Sequence, residues 1–170
     1  SGAGRPALGL GSCHPGAALL SVDLDYRAAG WHAAGSLVRQ GHERIGLVIP
    51  DQPLAGDLAC RDGFMDFVAR RAVTMIELKV AGDIRTLRAK LDRLLASRRL
   101  PTALLSMRPA YSLALLTQVL GAGLRIPPDL SLISRDTHPL LDAALPDLTR
   151  YSSPSSSLAT KAVRMTEALL

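Results

Sequence analysis

Aromatic residues are scarce in this chain of 170 residues, at 4% of the whole. That leaves too few rings for the stacking platforms that hold single-stranded nucleic acid. Cysteine is scarcer still. Cys13 and Cys60 lie far apart in sequence, which makes no disulfide framework and reads most simply as two reduced thiols in a cytosolic protein. No apolar run approaches the roughly 18 residues of a membrane span. No signal peptide opens the chain, and Ser1-Gly2-Ala3-Gly4 reads as a loop or an expression remnant. The four histidines, His14, His32, His42 and His138, show no metal-ligand spacing, and His42 reads as a packed or surface residue. Cys13 and His14 are neighbours in a loop, and adjacency in sequence does not make a nucleophile and its base. Gly9-x-Gly11 follows a strand-like run, but a dinucleotide loop needs its third glycine at the position of His14, with a helix rather than a strand coming next. No residue set for nucleophilic, metal or phosphate chemistry can be found, which leaves an α/β enzyme without machinery.

What the chain has is apolar surface and a regular rhythm. At 48% hydrophobic it can bury a core as one domain or two small lobes. The formal charge of +5 is carried mostly by arginine. Such an excess marks an ordinary solvated surface, and Arg85, Arg88, Arg93, Arg98 and Arg99 read as the wet side of one helix. The organising stretch is residues 20–50. Leu20, Ser21 and Val22 form a strand-like run, and Asp25 offers a short acceptor to cap a helix over residues 26–40. Ala29, Ala33 and Leu37 recur at helical spacing, and the small residues Ala28, Gly30, Ala34 and Gly35 would let that helix lie close against a sheet. Gly41 supplies a left-handed stop, and residues 44–49 resume as an almost unbroken aliphatic strand of the doubly covered kind. The spacing predicts a strand–helix–strand unit of one parallel sheet.

The rhythm continues along the chain. Residues 6–10 read as a strand with no partner at hand. Helices are predicted over 57–71, from Asp83 to about residue 97, over 109–120 with Pro109 in the first turn, and from about residue 156. Strands are predicted over 74–80, 102–106 and 130–134, with a helical turn at 142–145 and an extended piece at 149–152. Strands alternating with helices at this spacing imply a doubly wound, mostly parallel α/β sheet. The last helix carries Leu158, Ala162, Met165 and Leu169 along one stripe, with Val163 and Leu170 beside it.

Several pieces, in their order, resemble the effector-binding domain of LacI/GalR-type transcriptional repressors. They are Val22-x-x-Asp25 with Gly30, the run 37–45 (LVRQGHERI), Gly63-Phe64, Pro101-Thr102-Ala103, the run 123–133 (GLRIPPDLSLI) with Asp136, and Pro146-Asp147-Leu148-Thr149 with Pro154. The resemblance covers about 145 residues. It implies a periplasmic-binding-protein-like fold of type I with a small effector held between two lobes. On that expectation residues 1–25 are the last strand of the N-terminal lobe and a crossover, residues 26–145 the whole C-terminal effector-binding lobe, and residues 146–170 the return to the N-terminal lobe. The helix-turn-helix headpiece and the opening units of the first lobe would lie outside this chain, so DNA contact would belong to the parent protein. The implied role is ligand sensing and homodimerisation in a cytoplasmic regulator, with no cofactor and no membrane. A solute-binding protein of the same fold and an α/β enzyme stand as the alternatives.

The resemblance also implies where an effector would sit. Asp136 matches an acid at the end of the fourth strand of the lobe, where open α/β sheets place ligand residues. Members commonly have an arginine three residues before the Gly-Phe pair; this chain has Cys60 there and Arg61 next to it, about 100° away around a helix. An Asn-Asp pair common after the third strand is replaced by Met107-Arg108. Gly11 and Ser12 match the crossover segment that lines the pocket, and Ile84 matches a position that is often aromatic. The expected effector-binding set is Asp136, Arg61, Cys60, Met107, Arg108, Ile84 and Ser12, and its departures argue for an effector other than a plain sugar, or for none.

Overall fold

The computed structural model describes residues 7–169 apart from Pro15, Ala18, Arg98, Leu145, Ser153 and Pro154. The expectations placed on Ser1 to Gly4, Pro6, Arg98, Leu145, Pro154 and Leu170 therefore lie outside the described residues. Among the described residues, seven strands and six helices follow in the order β1 (Leu8–Leu10), β2 (Leu20–Val22), α1 (Tyr26–Arg39), β3 (Arg44–Pro50), α2 (Ala55–Val68), β4 (Thr74–Val80), α3 (Ile84–Ala96), β5 (Ala103–Ser106), α4 (Pro109–Gly121), β6 (Ser131–Ser134), α5 (Pro139–Asp142), β7 (Thr149–Arg150) and α6 (Ser155–Glu167).

Five strands form one parallel sheet in the order β4-β3-β5-β6-β7. β3 lies inside this sheet and is covered on both faces, which is why it reads as a continuous aliphatic run. Its Ile45, Leu47 and Ile49 join Ala33, Leu37, Phe64 and Phe67 under α1 and α2. Val48 points the other way, into the layer of Leu87, Leu91, Leu115 and Val119 beneath α3 and α4. Each such aliphatic side chain contributes about 1.5–3 kcal/mol by leaving water. Single strand residues thus select which helix layer they hold.

The helix boundaries follow from their caps. Asp25 accepts from the Ala28 N–H at 2.9 Å to start α1. Gly41, at φ 89°, ends it, with its own N–H donated to Val38 and that of His42 to Leu37. Asp83 caps α3 through the Arg85 N–H. α2 starts two residues earlier than the apolar pattern predicts, because Asp57 reaches back from inside the first turn to the Leu54 N–H. The helical turn expected at 142–145 lies at Pro139–Asp142, opened by the His138 side chain accepting from the Leu140 N–H.

Two expectations need correction. β1 does have a partner: it pairs in parallel with β2, Leu8 opposite Leu20, as a separate two-stranded sheet. β2 and β3 are consequently not strands of one sheet, and α1 links two units rather than completing a strand–helix–strand repeat. α6 packs against β1 and β2. Leu158, Ala162 and Met165 of α6, and Leu169 in the turn after it, are half-buried, while Val163 stays exposed.

The small residues of α1 serve a neighbouring helix as much as the sheet. A Cβ at Gly30 would stand 1.9 Å from the Cys60 carbonyl oxygen, and one at Gly63 would stand 2.0 Å from that of Arg27. α1 and α2 therefore touch backbone to backbone at two places where only glycine fits.

Candidate functional site

The loops leaving the C-terminal ends of β3, β5 and β6 converge at one edge of the large sheet, and four charged side chains from them and from the start of α2 meet there. Asp57, on the first turn of α2, is 1% exposed. Its Oδ1 accepts from Arg108 Nη1 and from Arg135 Nη1, both at 2.6 Å. Its Oδ2 accepts from Arg108 Nη2 at 2.5 Å and from the Leu54 N–H at 2.9 Å. Arg135 turns its remaining edge to Asp136, with Nε donating to Oδ1 at 2.9 Å and Nη2 to Oδ2 at 2.8 Å. Its guanidinium also lies 4.4 Å from the centre of the Tyr26 ring. The formal charges of these two acids and two arginines cancel. Asp57 and Arg135 are buried, and such close charges are stable there only because every lone pair of the central carboxylate has a donor.

Buried hydroxyls hold the turns that aim these groups. Ser106, the last residue of β5, donates to the Arg108 carbonyl. Ser112 on α4 donates to Ser134 Oγ at 2.9 Å, and Ser134 donates to the Asp136 carbonyl at 2.8 Å. The turns after β5 and β6 are thereby tied to each other, which fixes the separation of Arg108 from Arg135.

The ionisation of the cluster follows from its bonds. Burial alone would push the Asp57 carboxyl up, but the donors from Arg108, Leu54 and Arg135 outweigh it and hold the group below the usual carboxylate value. Burial is the largest influence on the Tyr26 phenol as well, and with the Asp136 and Asp23 carboxylates it pushes that group up. The Cys60 thiol is pushed up to about 12, chiefly by burial, so it is no thiolate nucleophile near neutral pH.

The cluster faces the crossover from the small sheet. There Ser12 donates to Asp23 Oδ2 at 2.7 Å, and Asp23 Oδ1 accepts from the Leu24 N–H. Between the two walls lies a cavity of about 490 Å³ bordered by Ser12, Asp23, Tyr26, Arg108, Arg135 and Asp136. A second hollow of about 350 Å³ opens beside it, past Tyr26 and Asp136 toward Tyr151. Tyr151 Oη is 2.7 Å from His32 Nδ1, tying the segment after β7 to α1.

Of the residues expected from the sequence, the structure brings Asp136, Arg108 and Ser12 to one cavity, with Gly11 beside Ser12. Cys60 and Met107 are fully buried in the core under α1 and α2. Arg61 points away and donates from Nε to Glu77 Oε2 on β4 at 2.8 Å. Ile84 starts α3 and packs, half-buried, on the opposite core layer. Sequence reasoning missed Asp57, Arg135 and Tyr26. A signal for Arg135 was there: it adjoins Asp136 directly after β6, at the sheet edge that collects ligand residues. Among the described residues, no group of three or more His, Cys, Asp or Glu side chains is placed to hold a metal ion, and no helix is long and apolar enough to cross a membrane.

The lobe is thus doubly wound, with a charged cavity at its C-terminal strand edge that is faced by a crossover from a smaller unit. Residues 34–170 match the family described as periplasmic binding protein-like domain, and the chain belongs to that family. It is 26% identical over 148 residues to the HTH-type transcriptional repressor CytR of Escherichia coli K12, covering 85% of this chain and 43% of that protein. A regulatory protein of the LacI family from Chloroflexus aggregans superposes with a TM-score of 0.86 at 22% identity, over 96% of this chain and 60% of that one. The transcription regulator CcpA of Lactococcus lactis gives 0.81 at 20% identity, over 96% and 61%. The chain spans less than half the length of CytR. Its fold is that of the effector-binding domain of LacI-type regulators, and these relatives are transcriptional regulators rather than enzymes.

Proposed function

We propose that this chain is the ligand-sensing part of a LacI-type transcriptional regulator acting in the cytoplasm, as a homodimer. A small-molecule effector, a sugar or related metabolite, would lie between the five-stranded lobe and the crossover beside β1 and β2. DNA would be held by a helix-turn-helix headpiece elsewhere in the parent protein. The observation that carries this reading is the cavity in which Asp136, Arg108 and Arg135 from one unit face Ser12 and Asp23 from the other. A ligand bridging two walls favours one relative placement of them, and differential affinity for that placement is what couples an effector to a distant DNA-binding part.

In this reading Asp136 is the acceptor for ligand hydroxyl or amine donors, Ser12 reaches from the opposite wall, and Tyr26 offers an apolar ring. Arg61 and Ile84 take no part, and Cys60 and Met107 act only by shaping the floor. The test is a thermal-shift screen of the parent-length protein over sugars, nucleosides and small acids, followed by operator binding with and without the best compound. A compound that raises the unfolding temperature and changes operator affinity, and that binds Asp136→Asn at least about tenfold more weakly, supports the proposal. Undiminished binding by Asp136→Asn would exclude this cavity as the effector site.

A further inference from the structure

Asp57 is an odd residue to find at a ligand cavity. It borders the opening, yet it is almost wholly buried and all of its acceptor capacity is used by four donors from Leu54, Arg108 and Arg135. It has nothing left to offer a ligand. What it does is occupy the donor fork of Arg108 and one nitrogen of Arg135, whose own fork is held by Asp136. Arg108, with about a quarter of its side chain exposed, grips Asp57 with two nitrogens, the geometry in which arginine holds a carboxylate or phosphate ligand.

We infer that Asp57 is a built-in counter-ion that sets the specificity of the cavity, taking the place of an anionic ligand group and shutting anions out. The inference rests on reading this cavity as the effector site and adds the ligand class: an effector without a carboxylate or phosphate group. Two facts carry it. An incoming anion meets guanidinium forks already held by carboxylates, Arg108's by Asp57 and Arg135's by Asp136, so to take the Arg108 fork it must displace a carboxylate that is fixed at the Leu54 N–H. It also meets the uncancelled charge of Asp23 across the opening, which in the described residues is held by Ser12 and the Leu24 N–H with no cationic partner. Neutral ligands face neither cost, and Asp136 stays within their reach.

Inorganic phosphate is the probe, titrated into this 170-residue chain at pH 7 with chloride at equal ionic strength as the control. Wild type is expected to show no phosphate-specific binding or stabilisation up to about 10 mM. Asp57→Asn frees one fork, and Asp57→Ser frees it while keeping a smaller acceptor near the Leu54 N–H. Either should bind phosphate at least about tenfold more tightly than wild type, the worth of one charge-assisted hydrogen bond. Adding Arg108→Gln to either should remove the gain. If both single variants lose their fold in chloride, the melts still decide: restoration of the cooperative transition by phosphate supports the inference, and no restoration overturns it. Phosphate binding by wild type as tight as by the variants also overturns it. Failure of every neutral compound in the effector screen would instead count against the effector reading and leave the phosphate result standing, so the two claims fail separately.

Discussion

The five-stranded lobe and the small unit of β1, β2 and α6 are built from the same kinds of residue and differ in how they are covered. β3 buries five consecutive residues between two helix layers. In the small unit only Val22 is buried among the six strand residues, and Leu10 and Leu20 stand 73% and 55% exposed. A parallel sheet needs both faces covered, and among the described residues the large sheet has two helix layers while the small one has α6 packed against it. The five-stranded lobe supplies the charged wall of the cavity, and the small unit supplies the opposing wall, Ser12 and Asp23.

The comparison predicts where damage concentrates. Gly30→Ala should have the largest effect, because its methyl group would meet the Cys60 carbonyl and force α1 off α2. We expect a loss above about 3 kcal/mol, beyond ordinary overpacking because backbone cannot rotate aside, measured as a collapse of the denaturant midpoint. Asp57→Ala comes next, at about 1–3 kcal/mol, since it takes from Arg108 its carboxylate partner and leaves Arg135 with Asp136 alone. An unfolding midpoint within experimental scatter of wild type would contradict the network's structural role.

The same carboxyl gives a pH dependence. Its value is held below the ordinary 3.8 in the folded chain. A depressed acid contributes stability that is fully present above the unfolded value and lost as pH falls through the folded one. Stability should therefore fall as pH drops below about 4, and the Asp57→Asn variant should show a shallower fall over that window.

A smaller effect belongs to His42. Its Nδ1 lies 3.0 Å from Thr102 Oγ1 and its Nε2 2.9 Å from Ser131 Oγ, so the ring bridges the starts of β5 and β6 just ahead of β3. Burial lowers its value below 6.5. The folded chain then binds this proton more weakly than the unfolded chain, so stability is full above pH 6.5 and declines on acidification below it. His42→Gln should flatten that decline. Smallest of all, Leu10→Ser and Leu20→Ser in the exposed ribbon should change stability by no more than about 0.5 kcal/mol.

The same contrast explains what could be read from the sequence. Strands and helices of the lobe were legible because burial on both faces writes long aliphatic runs and helical periodicity into residues 44–50 and 84–96. Pairing was not legible. Nothing in Leu20, Ser21 and Val22 says that their partner is β1 rather than β3, since a short apolar run looks alike in either sheet. Of the site, Asp136, Arg108 and Ser12 were reachable through the family resemblance, which puts them at strand ends or in the crossover. Asp57 and Arg135 are 78 positions apart, and their pairing is a product of topology that no local pattern announces. Arg61 misled for the opposite reason: its neighbour in sequence faces the core, and the helix turns Arg61 to Glu77.

Native-state hydrogen exchange tests the division between the two units most directly. The account predicts that amides of β3 and β5 exchange only through global unfolding, while those of β1 and β2 open locally and exchange at least about a thousandfold faster. Equal protection across β1, β2, β3 and β5 would contradict it, and would mean that the small unit is an integral part of one cooperative body.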